Sequence, residues 1–129
     1  MKYGKINHVG IVVKYWNEAS DRYGRLLGIK HWYEIVTDED SFDMRYRGEK
    51  KNSKVRIFYG GKGTTKIELI ETSGDKNIYE RFYEKHGEAV HHVMYMTKDL
   101  DKTVREFSDN GFQVLQTRLL RDTAFRKTE

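Results

Sequence analysis

A chain of 129 residues, with 37% hydrophobic and 34% charged residues, is long enough to bury one core and reads as a single globular domain spanning residues 1–129. No apolar run could span a membrane and no secretory leader is visible, so a cytoplasmic protein without a membrane partner is expected. The absence of cysteine excludes disulfides and thiolate chemistry, and the net charge of +4 permits an anionic partner without requiring one.

Residues 5–13 alternate well enough for a strand, with Ile6, His8, Gly10 and Val12 on one face. Asn17 is a fair N-cap for a helix whose Ala19, Tyr23, Leu26 and Leu27 form an apolar stripe, and Gly28 supplies its stop. A strand follows near residues 29–36. Residues 37–52 are charged and aperiodic, which predicts a loop or lid. Strands near 54–59 and 65–71 flank Gly60-Gly61-Lys62-Gly63, a glycine turn without phosphate-loop spacing and therefore a hairpin. Module one thus covers about 5–72, and a linker helix follows at about 75–86 with Ile78 and Phe82 inward. A strand at 90–97, a helix with Leu100, Val104 and Phe107 in line, and a strand near 112–115 make a second, partial module at about 89–116. Residues 117–129 show no period and read as an irregular basic tail. Acidic residues interrupt the basic stretches around Arg45–Arg56 and Arg118–Lys127, so these are read as solvated faces and no nucleic-acid partner is expected.

The two modules are copies. Laying His8 on His92, an offset of 84 residues, also brings Lys14 onto Lys98, Asn17 onto Asp101 and Tyr23 onto Phe107. Strand parity then selects polar residues that can meet. If Val9/Ile11/Val13, Ile67/Leu69 and Val93/Tyr95 pack under helices, His8, Glu68 and His92 point together onto the opposite, concave face. Two imidazoles and a carboxylate there form a candidate divalent-metal site. His91 falls on the helix-packed face, and His31 and His86 read as surface residues.

Ile6-Asn7-His8-Val9-Gly10-Ile11-Val12-Val13, Lys66-Ile67-Glu68-Leu69-Ile70-Glu71 and the stretch from Tyr79 through His91-His92-Val93 resemble the vicinal oxygen chelate superfamily, nearest its glyoxalase I and methylmalonyl-CoA epimerase-like branch. The resemblance implies an α+β fold of paired βαβββ modules in a cupped sheet, with a divalent metal (Zn, Ni, Co, Mn or Fe) held between them. Three of its metal positions fall on His8, Glu68 and His92. The implied activity is that of a lyase or isomerase, in which the metal stabilises an enolate while a carboxylate removes the adjacent proton. In the epimerases that base is a glutamate on the third strand, and the best register places Arg56 there, where it would bind substrate instead. Phe58, Met94, Met96 and Trp32 are expected to supply apolar cavity wall, with Arg56, Phe58 and Met94 as the substrate-binding set. The basic lid would suit a small-molecule substrate such as a CoA or glutathione conjugate.

The family's fourth ligand would follow Glu68 by about 84 residues, past residue 129, so the second module is read as lacking its last two strands. The open edge this leaves predicts a homodimer, with Arg118–Glu129 near the interface and Glu129 a poor fourth ligand. Two other readings stand beside the first. One is a metal-independent antibiotic-binding protein of the same fold, and the other is a non-haem iron extradiol-type dioxygenase using two histidines and a carboxylate.

Overall fold

The computed structural model describes residues 2–37, 42–50, 52–74 and 76–120. Its elements run β1 (His8–Val12), α1 (Trp16–Leu27), β2 (Trp32–Thr37), β3 (Phe42–Tyr46), β4 (Glu49–Lys50), β5 (Ser53–Gly60), β6 (Lys66–Gly74), α2 (Ile78–His86), β7 (Ala89–Met94), α3 (Leu100–Asp109) and β8 (Gln116–Leu120). Five strands form the cupped sheet of an α+β fold in the order β2-β5-β6-β1-β7. Within it β1 runs parallel to β6 and antiparallel to β7, so the first strands of the two sequence copies lie side by side. Among the described residues no helix is long and apolar enough to cross a membrane.

The sheet buries a different apolar set on each face. Toward α1 it packs Ile11, Val13, Phe58 and Leu69 against Ala19, with Trp16, Tyr23, Trp32 and Ile67 around them. Toward α2 it packs Val55, Ile57 and Ile70, with Tyr59 and Tyr79 against that cluster. The alternation follows from the hairpin register, in which Phe58 faces Leu69 and Ile57 faces Ile70 across β5 and β6.

Helix α1 begins earlier than Asn17. Its N-cap is Tyr15, whose side chain makes no cap bond, and the free Trp16 N–H instead donates to Glu71 Oε2 at 2.8 Å. A carboxylate at that helix end satisfies an orphan donor and complements the dipole. Gly28 closes the helix as expected, at φ 72°. The inward stripe is buried Ala19 and Ser20 with partly buried Trp16 and Tyr23, whereas Leu26 and Leu27 are exposed.

Three further expectations change. Within the lid of residues 37–52, β3 and β4 form a hairpin turned by Arg47 and Gly48, both at positive φ, the backbone of a tight two-residue turn. No strand forms at 112–115. The chain pairs one step later, where β8 joins β3 antiparallel in a second sheet of order β4-β3-β8, so residues 116–120 are not irregular. Strand β7 stops at Met94, and Val93 and Tyr95, expected under a helix, are 47% and 40% exposed. Helix α3 is capped by Asp99, which accepts from Lys102 N–H, yet its Leu100 and Phe107 are exposed. Residues 38–41 and 51 of the lid and 121–129 of the tail, with Glu129, lie outside the described residues.

Phe58 is the key to the α1-side core. It is 1% exposed and stacks on Trp16 with ring centroids 4.2 Å apart and 8° between planes. Phe58→Ala should lower unfolding free energy by about 3–5 kcal/mol, read as an earlier urea midpoint at unchanged slope.

Candidate metal centre

Gly10 sits at the middle of the site. It is opposite Glu68 in the parallel β1–β6 register and opposite His92 in the antiparallel β1–β7 register. A Cβ built on Gly10 would lie 2.3 Å from His92 Cε1, so the ring occupies the space a side chain would need. His8, two residues earlier on the same face of β1, completes the group. His8 Nε2 lies 3.1 Å from His92 Nε2 and 3.2 Å from Glu68 Oε2, and His92 Nε2 lies 3.2 Å from Glu68 Oε1. The side chains of His8 and Glu68 are 5% and 4% exposed and that of His92 is 25% exposed, so the group opens on the His92 side.

Donor spacing fits one ion. Ligands bound at about 2.1 Å in tetrahedral or octahedral arrangement stand roughly 3.0–3.4 Å apart, and the three separations fall within that range. Two imidazoles and one carboxylate also suit zinc, nickel, cobalt, manganese or iron by donor type.

The rings are oriented from behind. His8 Nδ1 lies 3.0 Å from Asn7 Oδ1, which only accepts, so Nδ1 carries the proton and Nε2 is left to face the carboxylate. His92 Nδ1 lies 2.8 Å from Nδ1 of His91. That contact exists because the β1–β7 register shifts between Gly10 and Ile11. Gly10 faces His92 and Ile11 faces Val90, which leaves His91 unpaired in a bulge. His91 therefore does not pack under α1 or α3 but sits among Tyr79 and Phe82 of α2, with centroids at 5.1 and 4.9 Å.

Burial works to raise the Glu68 carboxyl, but hydrogen bonds from His92 and Tyr59 and the charges of His8 and His92 outweigh it and hold the group below its ordinary range. Tyr59 stands directly across from Glu68 in the β5–β6 ladder and lies edge-on to His8 at 5.3 Å. Burial pushes the His91 ring down to about 4, with the neighbouring His92 charge adding to it.

Of the residues named from sequence, the structure brings His8, Glu68 and His92 together, and Met94 joins them by facing His8 across the ladder. Arg56 and Phe58 lie on the other face. Arg56 donates to Glu34 at 2.8 Å and Glu71 at 3.4 Å while lying over the Trp16 and Phe58 rings. Trp32 belongs to the same α1-side core, and Met96 is exposed. The positions of β5 that share Glu68's face are Ser53, Val55, Ile57 and Tyr59. Parity along β5 was legible, but the five residues between β5 and β6 left the register open, and that register decides which parity faces the site. His31 and His86 are exposed, as expected. Sequence reasoning missed Tyr59, Asn7, His91 and the role of Gly10. The repeat held one signal, because Asn7 and His91 each precede a histidine of the group.

A family model for the glyoxalase/bleomycin resistance protein/dioxygenase superfamily matches residues 7–125. The chain belongs to that superfamily. It is 24% identical over 111 residues to the uncharacterised Bacillus subtilis protein YqjC, covering 86% of this chain and 70% of that one. It is 25% identical over 113 residues to the mitochondrial methylmalonyl-CoA epimerase of Dictyostelium discoideum, covering 87% of this chain and 60% of that one. The crystal structure of methylmalonyl-CoA epimerase from Mycobacterium tuberculosis superposes with a TM-score of 0.62 at 20% identity, covering 84% of this chain and 65% of that one. The chain therefore spans less than two thirds of either epimerase.

Gly10→Ala should displace the His92 ring and cost about 1–3 kcal/mol of stability from overpacking, measured by urea unfolding. The metal-free protein should also lose stability in acid. Glu68 is held low, so its stabilisation is present above the ordinary 4.5 and is lost as pH falls through its folded value. His91 resists protonation down to about 4 against an ordinary 6.5, so the unfolded chain takes up that proton first and stability falls as pH drops from 6.5 to about 4, ahead of the Glu68 loss. Thermal midpoints between pH 7 and 4 should fall less steeply in His91→Asn than in wild type.

Proposed function

We propose that this protein is a metal-dependent lyase or isomerase that moves a proton next to a substrate carbonyl. The observation that supports it most is the convergence of His8, Glu68 and His92 at donor spacings suited to a single ion, in a fold whose relatives include epimerases. A divalent ion held there would supply Lewis acidity toward a carbonyl oxygen. His8 and Glu68 would hold it from the buried side, and the more open His92 side leaves room for substrate to approach past Met94. Hydrogen bonds from His92 and Tyr59 help keep the Glu68 carboxylate ionised. The substrate class we favour is a small acyl conjugate of CoA or glutathione, because the β3–β4 hairpin carries exposed Arg45, Arg47 and Lys50.

One observation favours a second reading. The face of β5 toward Glu68 carries no carboxylate, so the third-strand base of an epimerase has no counterpart on that strand. Two histidines and one carboxylate without an adjacent base also match a non-haem iron oxygenase. The identity of the retained metal and oxygen consumption separate the two.

The functional unit we propose is a homodimer. Strand β7 has β1 on one side and, among the described residues, no strand on the other. Its Val90 and Val93 are 58% and 47% exposed. Light scattering at micromolar concentration should give twice the chain mass, and a monomer there would remove this part of the reading.

Protein purified without an affinity tag should take up one divalent ion per chain. The His8→Ala, His92→Ala double variant should lose affinity by more than the ~10–100-fold typical of outer-shell changes. The metal-loaded protein should exchange solvent deuterium into a 2-methylmalonyl thioester or a hemithioacetal, followed by NMR. Exchange that survives complete metal removal would refute the proposal.

A further inference from the structure

Each histidine of the metal group is preceded by a residue that meets its Nδ1. Asn7 Oδ1 stands 3.0 Å from His8 Nδ1, and His91 Nδ1 stands 2.8 Å from His92 Nδ1. The two pairs occupy equivalent places in the 84-residue repeat. In a regular strand neighbouring side chains point to opposite faces, so neither contact comes free. Asn7 achieves it just before β1 begins, where its own N–H donates to Met94 C=O and its C=O accepts from Lys66 N–H. His91 achieves it from the bulge. The same requirement is met twice, once at the start of a strand and once from a bulge.

We propose that Asn7 and His91 are a matched pair of positioning residues. Each accepts the Nδ1–H of the following histidine, fixing its ring and leaving Nε2 free for a metal. This rests on the metal-site reading of His8 and His92. A neutral imidazole has one donor and one acceptor nitrogen, so an acceptor at Nδ1 selects the tautomer whose lone pair sits on Nε2. His91 is gripped for that task by Tyr79 and Phe82, and the His92 ring lies in the space a side chain at Gly10 would fill. Asn Oδ1 and His Nδ1 sit at nearly the same distance from their own backbones, so asparagine can take over at position 91 as it already serves at position 7.

The test uses the full chain and zinc as the probe. His91→Leu and Asn7→Leu should each weaken zinc binding about 10–100-fold in competition with a chromophoric chelator. His91→Asn should restore affinity to within a few-fold of wild type, although it discards the same ring contacts with Tyr79 and Phe82 as His91→Leu does. Equal loss in His91→Asn and His91→Leu would mean that packing matters and the acceptor does not, overturning the proposal. A second readout does not depend on affinity. In nitrogen-15-labelled protein, a two-bond coupling between His92 Nδ1 and His91 Nδ1 should be visible across the hydrogen bond without metal, and the bridging proton should sit on His92 once zinc replaces the contact of Nε2 with Glu68. Absence of the coupling, or the proton on His91 in the zinc form, would overturn the pairing even where zinc binds normally. Wild type that shows the coupling but binds no divalent ion would instead defeat the metal reading and leave the hydrogen bond standing.

Discussion

The close approach of the His92 ring to Gly10 is the constraint from which the centre is built. Two strands that begin equivalent sequence copies lie antiparallel, so residues 84 apart in the chain meet without any loop closing over them. Gly10 is the crossing point, facing Glu68 on one neighbour and His92 on the other. Any side chain there would contend with the imidazole for the same space. The bulge at the same crossing point gives β7 an extra residue, and that residue is His91. One missing side chain and one unpaired residue therefore set both the place of the His92 ring and the group behind it.

The sequence was legible where a pattern repeats and illegible where a register must be chosen. Period-two alternation in β1 and β6 placed His8 and Glu68 on one face, and the repeat tied His92 to His8; all three meet in the structure. Alternation cannot say how β5 slides against β6, because a one-residue slip exchanges the faces of a whole strand. That is why Arg56 and Phe58, sound as a pair, were expected on the wrong side. The β3–β4 hairpin escaped notice for a related reason. Its strands are short and charged, and β3 finds its second neighbour in β8, more than 70 residues later, a pairing no local pattern announces. Likewise Glu71, read only as part of a strand, proves to be the acceptor for the first turn of α1, which is why the helix needs no capping side chain of its own.

Helix α2 links the two halves energetically as well as in sequence. Asn77 caps it by accepting from the N–H groups of Tyr79 and Glu80. Tyr79 then packs on Val55, Ile57 and Ile70 while its ring also approaches His91 and His92. The helix thus seals the apolar end of the concave face and supports the histidine end with the same residue. A change that loosens α2 should therefore be felt at His91 and His92 without touching Glu68 or His8.

The cluster itself is a poor way to hold a sheet together. Glu68 is buried, and a buried carboxylate repays its desolvation only while its partners stay in place. On the same face, Ile70 and Ile57 fill adjacent ladder positions with ordinary apolar packing, so the fold has a cheaper solution within one step of the carboxylate. Keeping two imidazoles and a carboxylate in contact, each histidine met again at its Nδ1, demands a side-chain-free Gly10 and an interrupted ladder. Both features work against a regular sheet. Departures from local regularity that fall together on one polar cluster are what a functional site imposes on a fold. This is why we read the group as a centre maintained for what it binds, with the α1-side core supplying the stability that the concave face gives up.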